Sequence, residues 1–158
     1  MKNKLNAIKN LPATQTVSEV IVGLVIVLFV YAAVSKLADF DLFRRQMLIQ
    51  VFPLWLSSIL VWAIPLAELI AAIMLLFSNT MQRGLYLSCL LMTVFSGYIS
   101  LVLLHVFKKV PCSCGGILQN MGWETHLTFN AVFLILIIMA IILKKKGGLV
   151  TKKKMIKP

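Results

Sequence analysis

Charge is missing from four long tracts of this chain. No Asp, Glu, Lys or Arg falls between residues 20 and 35, 69 and 82, 84 and 107, or 125 and 143. The second tract extends back to Pro53 with Glu68 as its single interruption. Crossing the hydrocarbon core of a bilayer takes ~20 mostly apolar residues. Lipid offers the backbone no hydrogen-bond partner, so such tracts must be helices. The chain therefore reads as an all-α, integral membrane four-helix bundle with spans at about 17–36, 53–77, 84–107 and 125–143. Residues 1–16 are a short basic lead and 144–158 a basic tail. Composition agrees: 60% of the 158 residues are hydrophobic and 13% are charged, against ~45–50% and ~25% in a soluble domain. No internal repeat or low-complexity linker divides residues 17–143, so one domain is expected.

The net charge of +11 invites a nucleic-acid reading, which its distribution excludes. Seven of the sixteen basic residues stand in the tail: Lys144, Lys145, Lys146, Lys152, Lys153, Lys154 and Lys157. Basic runs beside a spanning helix mark the cytoplasmic side and attract anionic lipid. No aromatic residue interleaves with them to stack bases. With four spans both termini share a side. The lead (Lys2, Lys4, Lys9), the turn at Arg83 and the tail together outnumber the opposite connectors, which hold Lys36, Arg44, Arg45, Lys108 and Lys109. Cytoplasmic termini are expected. The lead has no apolar core before a small-residue cleavage site, so the first span reads as an uncleaved signal anchor.

Between the first two spans, residues 37–52 should hold a helix lying in the membrane interface. Phe40, Phe43, Met47 and Val51 recur at helical spacing, with Arg44, Arg45 and Gln50 largely elsewhere. Asp39 or Asp41 can cap it, because a carboxylate accepts the free amides of a first turn.

The second outer connector carries the sharpest chemical signal, Cys112-Ser113-Cys114-Gly115-Gly116. Two thiols one residue apart can bridge only where the chain turns, and a bridge over so short a loop stabilises little. Exposed, strained disulfides are the labile, oxidising ones, and the expected side is the oxidising compartment. Dithiol–disulfide exchange is one reading; an inert staple and a metal site are the others. Cys112, Cys114 and His126, with Met121 or His105, form a soft donor set suited to Cu(I) or zinc. Structural zinc pairs, however, usually have at least two residues between their cysteines. Cys89 precedes Cys112 by 23 residues, ~30 Å along a helix, and reads as a packed apolar cysteine.

Three further features stand near the connector or in the spans. Glu68 is the one acid deep in a span and should face the bundle interior. It reads as neutral and hydrogen-bonded to a neighbouring helix. Pro65 removes a donor one turn earlier. Lys36 reads as an interfacial lysine with its ammonium drawn outwards. His126 opens the fourth span beside Trp123, with Asn130 one turn on. His126 can supply positive charge to a nearby thiolate. Trp123 suits an interfacial anchor and Asn130 a bond between helices.

Ala33-Val34-Ser35-Lys36-Leu37-Ala38-Asp39, with Phe43 and Pro53 following, resembles the first-helix exit of DoxX-like membrane proteins. Pro65-Leu66-Ala67-Glu68 is similar to that family's second-helix proline–glutamate signature. Cys112-x-Cys114-Gly115-Gly116, then Trp123 and Asn130, resembles the MauE branch, the methylamine-utilisation proteins. The resemblance spans about residues 17–143. It implies a four-helix protein of the bacterial inner membrane with a redox-associated role. It further implies a periplasmic thioredoxin-like partner and a disulfide-rich extracytoplasmic client. The reading that follows is thiol–disulfide exchange or client maturation through Cys112 and Cys114, with quinone as a candidate electron acceptor. The residues leave open whether the chain is itself an oxidoreductase. The alternatives are a copper- or other metal-handling membrane protein and a non-catalytic scaffold subunit.

Overall fold

The computed structural model describes residues 13–107 and 122–155. It holds five helices: α1 (Ala13–Ala38), α2 (Phe40–Leu48), α3 (Leu54–Leu76), α4 (Met81–Leu103) and α5 (Trp123–Met155). Among the described residues there is no strand. Four helices are long and apolar enough to cross a membrane: Gln15–Ala38, Leu54–Leu76, Met81–Leu103 and Trp123–Lys145. The expected all-α bundle is what forms, with the short helix between spans one and two. α5 runs on beyond its apolar part to Met155.

The four long helices close a ring in which α1 packs on α3 and α5, and α4 packs on the same two. Each turns a narrow stripe inwards. On α1 the stripe is Ser18, Val22, Val25, Phe29 and Ala33; on α3 it is Ser57, Val61, Pro65, Glu68, Ala72 and Leu75. These steps of three and four follow the 3.6-residue turn. The inward residues include many small ones, and the large apolar side chains of Val27, Trp55, Trp62, Leu90 and Ile135 lie exposed on the outside. Water would penalise such an exterior, whereas lipid does not. Small residues let membrane helices approach where the hydrophobic effect gives no drive. Hydroxyls on the spans fold back onto carbonyls of their own helix, as Thr93 does to Cys89 (2.8 Å) and Ser100 to Ser96 (2.8 Å).

Helix ends follow local chemistry. Asp39 caps α2, its Oδ1 accepting the Leu42 amide at 3.2 Å. α2 then buries Phe43 and Met47 against Val61, with Leu60 and Ile64 alongside, and stacks Phe40 on Trp62 at 4.5 Å between ring centres. α4 stops at Leu103, four residues earlier than the apolar tract suggests. His105 turns left-handed (φ 54°), the Val106 amide reaches the Leu101 carbonyl (3.2 Å) and the His105 amide reaches Val102 (3.0 Å). That pair of bonds is a Schellman ending, which closes a helix whatever the hydropathy of the next residues.

At the opposite end, Thr80 Oγ1 donates to the Met74 carbonyl at 2.8 Å and tightens the α3–α4 turn. Gly84 makes that closeness possible. A Cβ there would lie 3.0 Å from the Leu75 nitrogen and 3.1 Å from the Met74 carbonyl carbon. Both are backbone atoms and cannot rotate away. Gly84→Leu should therefore cost ~1–3 kcal/mol, in the range for overpacking, read as a lower midpoint in detergent unfolding. A midpoint equal to wild type would show that the two helices do not meet there.

Candidate functional site

The groups that could carry chemistry gather in the half of the bundle where α1 ends and α5 begins. They surround a cavity of about 390 Å³. It lies between all four long helices and is closed on one side by α2 residues Phe43 and Met47.

Lys36 and Glu68 form its ionic wall. The Lys36 ammonium donates to Glu68 Oε1 at 2.9 Å, to Glu68 Oε2 at 3.1 Å and to the Ala32 carbonyl one turn back at 3.0 Å. An ammonium has three donors, and all three are used. Both side chains are withdrawn from the surface, at 11% and 3% exposure. This corrects the reading of Lys36 as an outward-drawn interfacial residue and of Glu68 as hydrogen-bonded without it. The physical reason is an offset between the helices. Lys36 is two residues from the end of α1, ~3 Å, while Glu68 is fourteen residues into α3, ~21 Å. α1 thus stops far below the level at which α3 starts. α2 fits this offset, because it packs against Leu60–Ile64 of α3 rather than against its first turn. Side chains on a helix also lean towards its N-terminus, which aims Lys36 further inwards.

α4 and the segment after α2 add a second polar contact. The Tyr98 hydroxyl donates to Gln50 Oε1. Gln50 is only 7% exposed, so its place on an outward polar face of the interfacial helix is also corrected: it lies past the end of α2, where the chain turns inwards. Tyr98 stacks loosely between Phe52 (5.5 Å) and Phe107 (6.2 Å).

α5 contributes Trp123, His126 and Asn130, all of which line the cavity. They fall on one stripe at intervals of three and four. Asn130 is buried. His126 Nδ1 is shut off from solvent and has no hydrogen-bond partner among the described residues. Four of the sequence-derived candidates, Glu68, Trp123, His126 and Asn130, are thus brought to one place. Cys112 and Cys114 lie outside the described residues, as does Met121. Among the described residues no group of three or more His, Cys, Asp and Glu could hold a metal. Cys89 is free, half-buried and packed on the core cluster of Val25, Leu85 and Met92.

A family model described as "Methylamine utilisation protein MauE" matches residues 14–143. The chain belongs to that family. With its four apolar helices it is a multi-pass membrane protein. No curated protein and no solved structure matches it.

In this MauE family member the polar groups of the cavity were only partly visible in the sequence. Lys36, Gln50 and Tyr98 belong to it and were not singled out as site residues. For Tyr98 a signal existed, since a phenol within a span usually finds a partner for its hydroxyl. Chemically, the cavity offers an apolar enclosure, a fixed ion pair, a phenol and an imidazole nitrogen that no described residue engages. Such a set can bind a largely apolar molecule with a few polar atoms, and can give or take protons.

Proposed function

We propose that the chain is a membrane component of extracytoplasmic thiol–disulfide exchange, acting through Cys112 and Cys114. The observation that carries the reading is where the cysteine connector is tied. The chain leaves the bundle at Phe107, whose ring meets Tyr98, and returns at Trp123, which lines the cavity. Cys112 is five residues past Phe107, so its Cα lies within ~18 Å of that residue by chain length alone. The membership in the MauE family and the Cys-Ser-Cys-Gly-Gly motif support the same reading.

In the exchange, a thiolate of a thioredoxin-like partner attacks the Cys112–Cys114 disulfide and forms a mixed disulfide. The partner's second thiol then displaces the remaining cysteine. The partner leaves oxidised, and Cys112 and Cys114 are left as two thiols. His126, at the start of α5, provides imidazole close to the connector's return point. The test is function without either cysteine: Cys112→Ser and Cys114→Ser variants that both support normal client maturation would overturn the reading.

The reading requires the connector to face the oxidising side, with both termini in the cytoplasm of a bacterial inner membrane. The excess of lysine and arginine on the lead, the Arg83 turn and the tail supports this. In intact, mildly reduced cells a membrane-impermeant thiol reagent should modify Cys112 or Cys114 and spare Cys89. Modification from outside of a tag placed after Pro158 would reverse the orientation.

A further inference from the structure

We infer that the cavity between the four long helices, where α1 ends and α5 begins, is a binding site for a quinone-class, lipid-soluble electron acceptor. The inference deepens the thiol–disulfide reading and rests on it for the ligand's redox role, while its geometry stands apart from the cysteines.

The size fits first. About 390 Å³ lies within the ~300–1,000 Å³ of small-molecule sites, and accommodates one substituted ring with the start of a tail. The cavity also has a way in from lipid. Tyr31 and Val94 contribute to its wall while being 39% and 58% exposed on the outer, apolar surface of the bundle. Ala63 lines it too, is exposed, and sits beside the outward Trp62. A ligand dissolved in the bilayer reaches such a site without passing through water.

Polarity narrows the ligand. The wall is mostly apolar; its polar groups are the Lys36–Glu68 pair, the Tyr98–Gln50 contact, Asn130, the His126 ring, the Tyr31 hydroxyl, the Trp123 indole and the Ser35 hydroxyl, which donates to the Ala32 carbonyl. Lys36 has spent its donors on Glu68 and Ala32, so it contributes charge and no further hydrogen bond. His126 Nδ1 is enclosed and has no hydrogen-bond partner among the described residues. Leaving a buried polar atom unsatisfied costs ~1–3 kcal/mol, which a bound oxygen would relieve. A wholly apolar occupant, such as an acyl chain, would leave the cost in place. The ligand is therefore apolar in bulk, with ring oxygens able to meet an imidazole.

Stoichiometry gives the class. Re-forming the Cys112–Cys114 disulfide breaks two S–H bonds, makes one S–S bond and releases two electrons and two protons. A quinone takes up the same two electrons and two protons at its two carbonyl oxygens and becomes a quinol. It is also soluble in the phase onto which the cavity opens.

The test uses the full chain in detergent carrying Trp55→Phe and Trp62→Phe. Both residues are exposed, at 66% and 63%, and their replacement leaves Trp123 as the sole tryptophan, in the cavity wall. Titration with decylubiquinone should quench Trp123 saturably. His126→Leu and Ala63→Phe should each weaken binding at least ten-fold, and decylbenzene, which has the tail without carbonyls, should not compete. Non-saturable quenching, equal competition by decylbenzene, or unchanged affinity in both variants overturns the site. Should either variant melt below the parent, the decylbenzene competition on the parent decides alone. The readout does not involve the cysteines. Its failure leaves thiol exchange standing, and the failure of exchange leaves the binding curve intact.

Discussion

Lys36→Met should destabilise the bundle by roughly 3–5 kcal/mol, the cost of breaking a buried ion pair from one side. The reason is what remains. Glu68 is 3% exposed and holds both carboxylate oxygens against the Lys36 ammonium. Without that partner it must stay charged in an apolar surrounding or take up a proton, and either is costly. The double variant Lys36→Met/Glu68→Leu removes both charges and should recover most of the loss, since apolar replacements of a whole buried pair are often neutral. The comparison isolates the pair from simple side-chain packing, which the double variant disturbs more than the single. Unfolding of the detergent-solubilised chain by added denaturing detergent, followed by helicity, gives the midpoints. A single variant as stable as wild type, or a double variant worse than the single, would show that the two residues do not depend on each other.

Most of the architecture was legible because lipid leaves few options. Charge-free tracts of sufficient length must be helices, and their order fixes which ends meet. The short helix α2 was legible from Phe40, Phe43 and Met47 at helical spacing with Asp39 ahead of them. The ends were less so. Hydropathy runs on to Phe107, but α4 closes at Leu103 because His105 adopts a left-handed turn that satisfies the Leu101 and Val102 carbonyls. That is a backbone event, and histidine is not the glycine that usually announces it.

The site was legible by residue and not by pairing. Glu68 stood out because a carboxylate in a span must face inwards, His126 and Asn130 because they share a helix face, and Trp123 as an interfacial aromatic beside them. Lys36 stands at the end of the first span, which reads in sequence as lying at the depth of the membrane interface, where an ammonium can be drawn outwards. Here α1 ends well short of that depth and α2 takes up the difference, so a lysine near a helix end meets a glutamate near mid-span. Such an offset is a property of tertiary packing and has no one-dimensional signature. The same applies to Gln50, whose partner Tyr98 is distant in sequence.

Cys112→Ser and Cys114→Ser should each abolish client maturation while leaving the bundle folded. The two halves of that expectation have separate causes. Stability should hold because a bridge between residues two apart removes little freedom from the unfolded chain, and loop-closure entropy grows with loop length. Among the described residues the core clusters lie on α1, α3, α4 and α5, and on α2 against α3. Function should fail because exchange needs both sulfurs: without either one there is no Cys112–Cys114 disulfide for the partner's thiolate to attack. Run in reverse, from an oxidised partner, the same exchange has one thiol of the chain attack the partner's disulfide and the other resolve the adduct. The resolving thiol acts fast because it is already local, so its removal slows resolution far more than attack. The variant that keeps the attacking cysteine should therefore accumulate a mixed disulfide with a thioredoxin-like protein, visible as a reducible adduct on a non-reducing gel. The other variant should show none, and that asymmetry assigns the attacking residue. If neither variant forms an adduct and both mature the client normally, the chain supports its client as a scaffold, and the cysteines have no part in the chemistry.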